Sequence, residues 1–506
     1  MTPERLRSIY EINTWVWLSD LSRKWKTPID LATVPAAEWD SIANYGFDAV
    51  WLMGVWERSP AGIAIANHNN GLLDEFRRTL PDFAVDDNVG SAYCIRRYVV
   101  DGHLGGPAAL SVARNELSKR GMKLILDFVA NHVAPDSPWV TEHPDYFIAG
   151  NERDLANDPG SYLRAGGRIL AAGRDPNFPA WPDVLQLNAF HPGLRAAMVK
   201  TLLDIVSQCD GVRCDMAELL LNEVFARTWQ GRAGQAPEMD YWRALISPVR
   251  DAHPGLICLA EAYWGNEQKL LEQGFDYCYD KLLYDELRSA DVAAVRRRLS
   301  APAAYQETLV RFLENHDEPR SAGVFSPAKL RAGATAIATL PGVALFHEGQ
   351  FEGRRVRVPV FLRRRPEEPV DLPLQTFYDE LLQAVKDPIF RHGEWQLCEI
   401  TGWPDNHSAE NLVAWRWVLG DERRLVVINL SQGEAAGRVH ARWDGLGIGQ
   451  ARLVGVFPGT DYLRDIDEME SAGLYVKLGP WGFHFFEVHS SSAAVQSTLS
   501  AAQTTS

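Results

Sequence analysis

Positive charge is in short supply in this chain. Against 66 Asp and Glu stand only 51 Lys and Arg, a formal net charge of −15. No basic block offers to neutralise a row of phosphates, so nucleic acid is excluded as a partner. Long apolar runs are missing as well. None reaches the roughly 18 residues that a membrane helix needs, which leaves no membrane partner. The opening residues, Met1-Thr2-Pro3-Glu4-Arg5-Leu6, have no apolar core of a signal peptide, and the expectation is a cytoplasmic protein. Cysteine is scarce too. The six that occur, Cys94, Cys209, Cys214, Cys258, Cys278 and Cys398, are scattered without a CxxC pair. That argues against a disulfide framework or a zinc site and for free buried thiols.

What the chain does have is enough length and apolar mass for a large core. Its 506 residues, 46% hydrophobic and 23% charged, are ordinary globular material. They suit a barrel of about 250 to 400 residues plus a smaller module. Apolar runs over 9–13, 48–53, 122–128, 210–215, 256–260, 275–279, 308–313 and 343–346 read as eight strands, each after the first led in by a helical stretch. Pro192 starts one such helix, with Leu194, Met198, Leu202 and Ile205 on one face. Strict alternation means parallel strands with right-handed crossovers, and eight of them favour a closed (β/α)8 TIM barrel. The barrel is expected over 1–132 and 189–390. Polar, Gly- and Pro-rich sequence over 133–188 reads as an inserted subdomain after the third strand. A long polar stretch over 54–105 is a candidate functional loop. From about 391 to 490, short alternating runs predict an all-β sandwich. In it, Val413, Trp415 and Trp417 share one face and Val426, Ile428 and Leu430 share another. The last segment, 491–506, is mostly Ser, Ala, Thr and Gln and is expected to be a disordered tail.

Chemistry gathers at strand ends. The third strand runs into Asp127-Phe128-Val129-Ala130-Asn131-His132, and the fourth into Gly211-Val212-Arg213-Cys214-Asp215. The fifth ends in Glu261, and the seventh in Asn315-His316-Asp317. In a barrel of this kind the catalytic groups sit at the C-terminal ends of strands, so these four segments would meet on one rim. Arg213 and Asp215 are two apart and face the same way, which sets a fixed positive charge beside a carboxylate.

In this order, the four segments resemble the α-amylase superfamily, glycoside hydrolase family 13, with signatures DxxxNH, GxRxD, an isolated Glu, and NHD. The resemblance implies a retaining glycosidase that cleaves α-glucosidic bonds of short α-glucans or small α-glucosides through a covalent glycosyl-enzyme intermediate. It implies Asp215 as nucleophile, Glu261 as general acid and base, and Asp317 as the carboxylate that grips sugar hydroxyls. Arg213 is expected to keep Asp215 ionised, while neighbouring anions keep the proton on Glu261. His132 and His316 are expected to bind hydroxyls, Asp127 to brace Arg213, and Tyr93 to stack on the sugar.

Two departures from the family pattern qualify this. A Lys-His pair follows the nucleophile by three and four residues in many amylases, whereas here those positions are Glu218 and Leu219. That weakens the expectation of a long-polymer amylase. Asn131 matches a calcium ligand of the family, but its partners are not identifiable, so no cofactor is required and calcium rests on Asn131 alone. A carbohydrate, an α-glucoside, is the one partner implied, and no oligomeric state is. A transglycosidase or isomerase of the same family, trehalose synthase-like or a glucanotransferase, shares every residue named. A non-catalytic sugar-binding protein on the same fold is the remote alternative.

Overall fold

The computed structural model describes residues 5–443 and 445–490. The expected tail, 491–506, lies outside the described residues. Eight strands close a parallel barrel. In chain order they are β1 (Ser8–Asn13), β2 (Ala49–Met53), β3 (Lys123–Phe128), β4 (Gly211–Cys214), β5 (Ile257–Ala260), β6 (Tyr277–Tyr279), β7 (Leu309–Arg311) and β8 (Val343–His347). Each is hydrogen-bonded to its neighbours in sequence, and β8 closes onto β1.

Apolar pattern and burial agree along the barrel. All five residues of β2, Ala-Val-Trp-Leu-Met, are buried, because one face looks into the barrel and the other meets the helices. The helix Pro192–Val206 shows how the outer layer is held. Proline sits in its first turn, and the His191 side chain accepts the Leu194 N–H at 3.3 Å. Leu194, Met198, Leu202 and Ile205 form its buried face, each worth about 1.5–3 kcal/mol of apolar burial. The helix then delivers the chain to β4.

Two excursions rise from the C-terminal rim. Between β2 and β3, the strands Trp56–Arg58 and Ile95–Val100 pair antiparallel and enclose the helices Pro60–Asn67 and Asn70–Thr79. Between β3 and β4, a four-stranded sheet is ordered His132–Val133, Trp181–Gln186, Arg168–Gly173, Tyr162–Ala165. Its first strand begins at His132, four residues past the end of β3, so this sheet is anchored at the site itself.

Beyond the barrel stand a six-stranded and a three-stranded sheet. Val413, Trp415, Trp417, Val426, Ile428 and Leu430 all belong to the apolar cluster continuous with the barrel core. Antiparallel register sets Val413 opposite Ile428 and Trp415 opposite Val426, so the two sets expected on separate faces share one. The other face, with Leu412, Ala414, Leu425 and Val427, packs inside the sandwich. The six-stranded sheet is therefore apolar on both sides. The Trp417 indole donates to the Thr339 carbonyl at 2.7 Å, pinning the module to the barrel. All six cysteines are buried and free, and among the described residues no helix is long and apolar enough to cross a membrane.

Candidate active site

Strand register decides which side chains meet. Arg213 lies level with Asp127 on β3 and Leu259 on β5. One step further, Cys214 pairs with Ala260, so Asp215 and Glu261 follow side by side as the strands end. Asp215 N–H donates to the Phe128 carbonyl at 3.0 Å and Glu261 N–H to the Cys214 carbonyl at 3.0 Å, which extends the ladder through both residues. Alternation turns Arg213, Asp215 and Glu261 to the same side, into the barrel mouth.

The guanidinium of Arg213 is fully buried and serves both carboxyls. Its Nη1 donates to Asp215 Oδ1 at 2.7 Å, and its Nη2 is ion-paired with Glu261 Oε2 at 2.8 Å. Asp127 Oδ1 is further off, at 3.7 Å from Nη1. The hydrogen bond of Asp127 goes elsewhere: its Oδ2 accepts the Gly54 N–H at 3.0 Å, fixing the chain as it leaves β2. Gly54 has φ +76°, and a Cβ there would lie 2.7 Å from Arg58 Nη2, so glycine is required. Asp127 braces the loop more than the arginine.

Burial changes the electrostatics expected of Asp215. Desolvation raises its carboxyl above the usual range, with Arg213 opposing and Asp317 and Asp127 adding to the rise. One cation shared among several carboxylates does not hold Asp215 low. Glu261 is also raised, by desolvation first, with Arg213 opposing and Asp215 and Asp317 reinforcing. The cluster is thus built to keep a proton, and hydrogen bonds say where. Glu261 Oε2 accepts the Met216 N–H at 2.5 Å and faces Arg213, whereas Oε1 faces the Tyr263 hydroxyl at 2.7 Å. Only Oε1 has a neighbour able to accept a proton.

Asp317 stands in the mouth with its side chain 44% open, so solvent screens its pairing. Desolvation pulls it upward, but His316 and Arg213 outweigh that and hold it below the usual carboxylate range. His316 Nε2 lies 2.9 Å from Asp317 Oδ2 and 2.7 Å from the Tyr93 hydroxyl, and its Nδ1 lies 2.5 Å from Glu11 Oε1. Burial alone would lower His316, yet Asp317 and Glu11 lift it to about 10, so it is an imidazolium. His132 is the opposite case. Burial lowers it to about 4 and leaves it neutral. Its ring leans on Trp181 at 5.2 Å. Tyr93 stacks on His316 at 5.3 Å, and the Arg213 guanidinium lies 5.3 Å from its centroid. Every sequence-predicted site residue converges here.

Above them opens a cleft of about 750 Å³ whose walls include Tyr93 from the first excursion, Asp175, Phe178 and Trp181 from the second, and Trp264 after β5. Exposed apolar rings beside carboxylates suit a ligand with C–H faces and hydroxyl edges.

Asn131 does not present a metal ligand. Its carboxamide is engaged by Gln186, whose Nε2 donates to Asn131 Oδ1 at 2.9 Å and to the Asn131 carbonyl at 2.9 Å. Among the described residues no three His, Cys, Asp or Glu side chains gather to hold an ion.

Three contributors carried no expected role. Glu11 is a lone carboxylate in an apolar strand, which was a legible signal. Tyr263 follows Glu261 by two and so shares its side. Glu218 is wholly buried beneath them: its Oε2 accepts the Tyr263 N–H at 2.8 Å.

The α-amylase MalA of Haloarcula japonica is 22% identical over 444 residues, covering 85% of this chain and 57% of that protein. The chain is similar to α-amylases. The α-1,4-glucan:maltose-1-phosphate maltosyltransferase of Arcanobacterium haemolyticum is 31% identical over 136 residues, a quarter of this chain and 18% of that one. Among solved structures, the noncanonic maltogenic α-amylase AmyB of Thermotoga neapolitana superposes with a TM-score of 0.67 at 19% identity, over 95% of this chain and 98% of its own. The chain spans less than three fifths of the length of these curated relatives. No protein-family model matches it.

Proposed function

We propose that this protein is a retaining glycosidase that cleaves α-glucosidic bonds of short α-glucans or small α-glucosides. The observation that carries the reading is the single buried guanidinium of Arg213, which holds two carboxyls of different surroundings side by side at the floor of the cleft. Retaining cleavage needs that pair: one carboxylate to attack the anomeric carbon and one carboxyl to protonate the leaving oxygen.

In this reading Asp215 is the nucleophile. As its oxygen bonds to the anomeric carbon, the glycosidic C–O bond breaks and the Glu261 Oε1 proton passes to the departing oxygen. Water then gives a proton back to Glu261 and its oxygen displaces Asp215 from the anomeric carbon. The His316 imidazolium, held between Glu11 and Asp317, orients the Asp317 carboxylate to accept from a sugar hydroxyl, and neutral His132 can donate or accept. A ring stacked on Tyr93 would lie over the Arg213 charge. Short substrates are favoured because both excursions wall the cleft and Glu218, in place of a lysine, is buried away from it. Calcium is not needed, since Gln186 already occupies the carboxamide of Asn131.

Transfer to a sugar hydroxyl in place of water is the second reading, favoured by the maltosyltransferase match. Both share the first step. The test is Asp215→Asn with maltotriose followed by NMR. Wild type should release the α-anomer first, and the variant should lose at least about 10⁴ in kcat because an amide forms no glycosyl ester. A β-anomer, or wild-type rates from a purified variant, would overturn the proposal. Products longer than maltotriose itself would favour transfer.

A further inference from the structure

The acid Glu261 is gripped unequally at its two oxygens. Oε2 accepts the Met216 N–H at 2.5 Å and is ion-paired with Arg213 Nη2 at 2.8 Å. Met216 reaches that place because its backbone is left-handed, φ 42°, directly after Asp215. Oε1 has one neighbour, the Tyr263 hydroxyl at 2.7 Å. A proton on Oε2 would face the Met216 N–H and the Arg213 cation with nothing to receive it, so the mobile proton of Glu261 belongs to Oε1.

We propose that Tyr263 is a positioning residue that holds the proton-bearing oxygen of Glu261 and sets how readily that oxygen releases and recovers its proton. The proposal rests on the assignment of Glu261 as acid and base given above. A phenol hydroxyl can serve both states of its partner. It accepts from the neutral carboxyl before cleavage, and once the proton has left for the glycosidic oxygen it turns and donates to the carboxylate. The second bond is charge-assisted and roughly twice as strong as the first, so Tyr263 favours the ionised form. In the second half-reaction that ionised form removes the proton from water.

The arrangement is built rather than incidental. Tyr263 is tied at its backbone, where its N–H donates to Glu218 Oε2 at 2.8 Å. Glu218 is fully buried, and its Oε1 has no hydrogen-bond partner among the described residues. Desolvation and then Glu261 push the Glu218 carboxyl well up, so it stays neutral and adds no charge beneath the acid. Desolvation likewise keeps the Tyr263 hydroxyl protonated. The charged and titratable groups facing Glu261 are Arg213 and Asp215 from β4, Asp317 after β7, Glu218 from the turn after β4, and Tyr263. Of these, only Tyr263 bonds Oε1.

The test is Tyr263→Phe, which keeps the ring and removes the hydroxyl, measured beside Asp215→Asn and Glu261→Gln. With an α-glucosyl substrate whose leaving group needs protonation, the basic limb of kcat/KM reports loss of the Glu261 proton. With α-glucosyl fluoride, whose leaving group needs none, the acid limb of kcat reports the ionised form acting on water. In Tyr263→Phe both limbs should move up by about one pH unit, and kcat on the fluoride should fall about tenfold below its limb while KM changes little. Loosened packing would lower rates without moving either limb. Limbs that superpose on wild type, or that move down, overturn the role of Tyr263. If Asp215→Asn or Glu261→Gln keeps wild-type rates in the same assays, the underlying assignment fails instead, whatever Tyr263→Phe does.

Discussion

Removing the charge at Arg213 is the sharpest probe of how this site is held. Its guanidinium is fully buried, with Asp215 at 2.7 Å, Glu261 at 2.8 Å and Asp127 at 3.7 Å, and the rings of Trp51, Tyr93 and Tyr279 within 5.8 Å. Arg213→Met keeps length and apolar stem but strands three buried carboxyls without their cation. Breaking a buried pair by deleting one partner costs about 3–5 kcal/mol at neutral pH. In a chain of this size that is a fall in Tm on the order of 3–5 °C. The sign of the pH dependence follows from the carboxyls. Burial already raises Asp127, Asp215 and Glu261, with Arg213 opposing in each case, and its loss raises them further. A carboxyl raised in the folded state weakens folding as pH climbs from its unfolded value through its folded one. The Tm penalty should therefore be largest at pH 7 to 8 and shrink toward pH 4, as the raised carboxyls take up protons in both folded chains. Differential scanning fluorimetry of both proteins across pH 4 to 8 reads this directly. A penalty independent of pH would refute the electrostatic account and leave only lost packing.

Three further outcomes follow from the surrounding network. Because burial raises Glu218 well above the ordinary range, the wild type gives up stability above about pH 4.5 to keep that proton; Glu218→Gln should melt higher than wild type at pH 7, with the gain vanishing near pH 4, and a lower Tm at pH 7 would count against a neutral Glu218. Gln186→Ala, which leaves the buried Asn131 carboxamide and carbonyl short of donors, should cost about 1–3 kcal/mol. EDTA should leave wild-type Tm and activity unchanged, and a chelator-induced loss restored by calcium would sink the calcium-free reading.

Much of this molecule was written locally. The eight apolar runs, all but the second ending at a polar group, could be read because a strand buried on both faces must be apolar throughout and must stop where the barrel opens. Asp127, Arg213, Asp215, Glu261, His316 and Asp317 were legible for the same reason: a carboxylate or histidine at such a boundary has the rim of the barrel as its one available place. The alternation at 412–430 was equally clear as pattern, but whether its two apolar sets faced one side or two depended on antiparallel register, which no single strand encodes.

What tertiary structure alone decided is the electrostatic state of the site. Adjacent Arg213 and Asp215 suggested a carboxylate held ionised, whereas the folded chain brings Glu261, Asp127 and Asp317 to the same cation and removes water from most of them, so the carboxyls rise. Tyr263 gained its hold on Glu261, and Glu218 its place beneath them, through a left-handed turn at Met216 and the pairing of β4 with β5. Asn131 found its partner 55 residues away in Gln186. Sequence determines which residues stand at strand ends because burial and alternation act along the chain; charge, proton position and metal need depend on how many such ends converge in one dry volume, and only the closed barrel sets that.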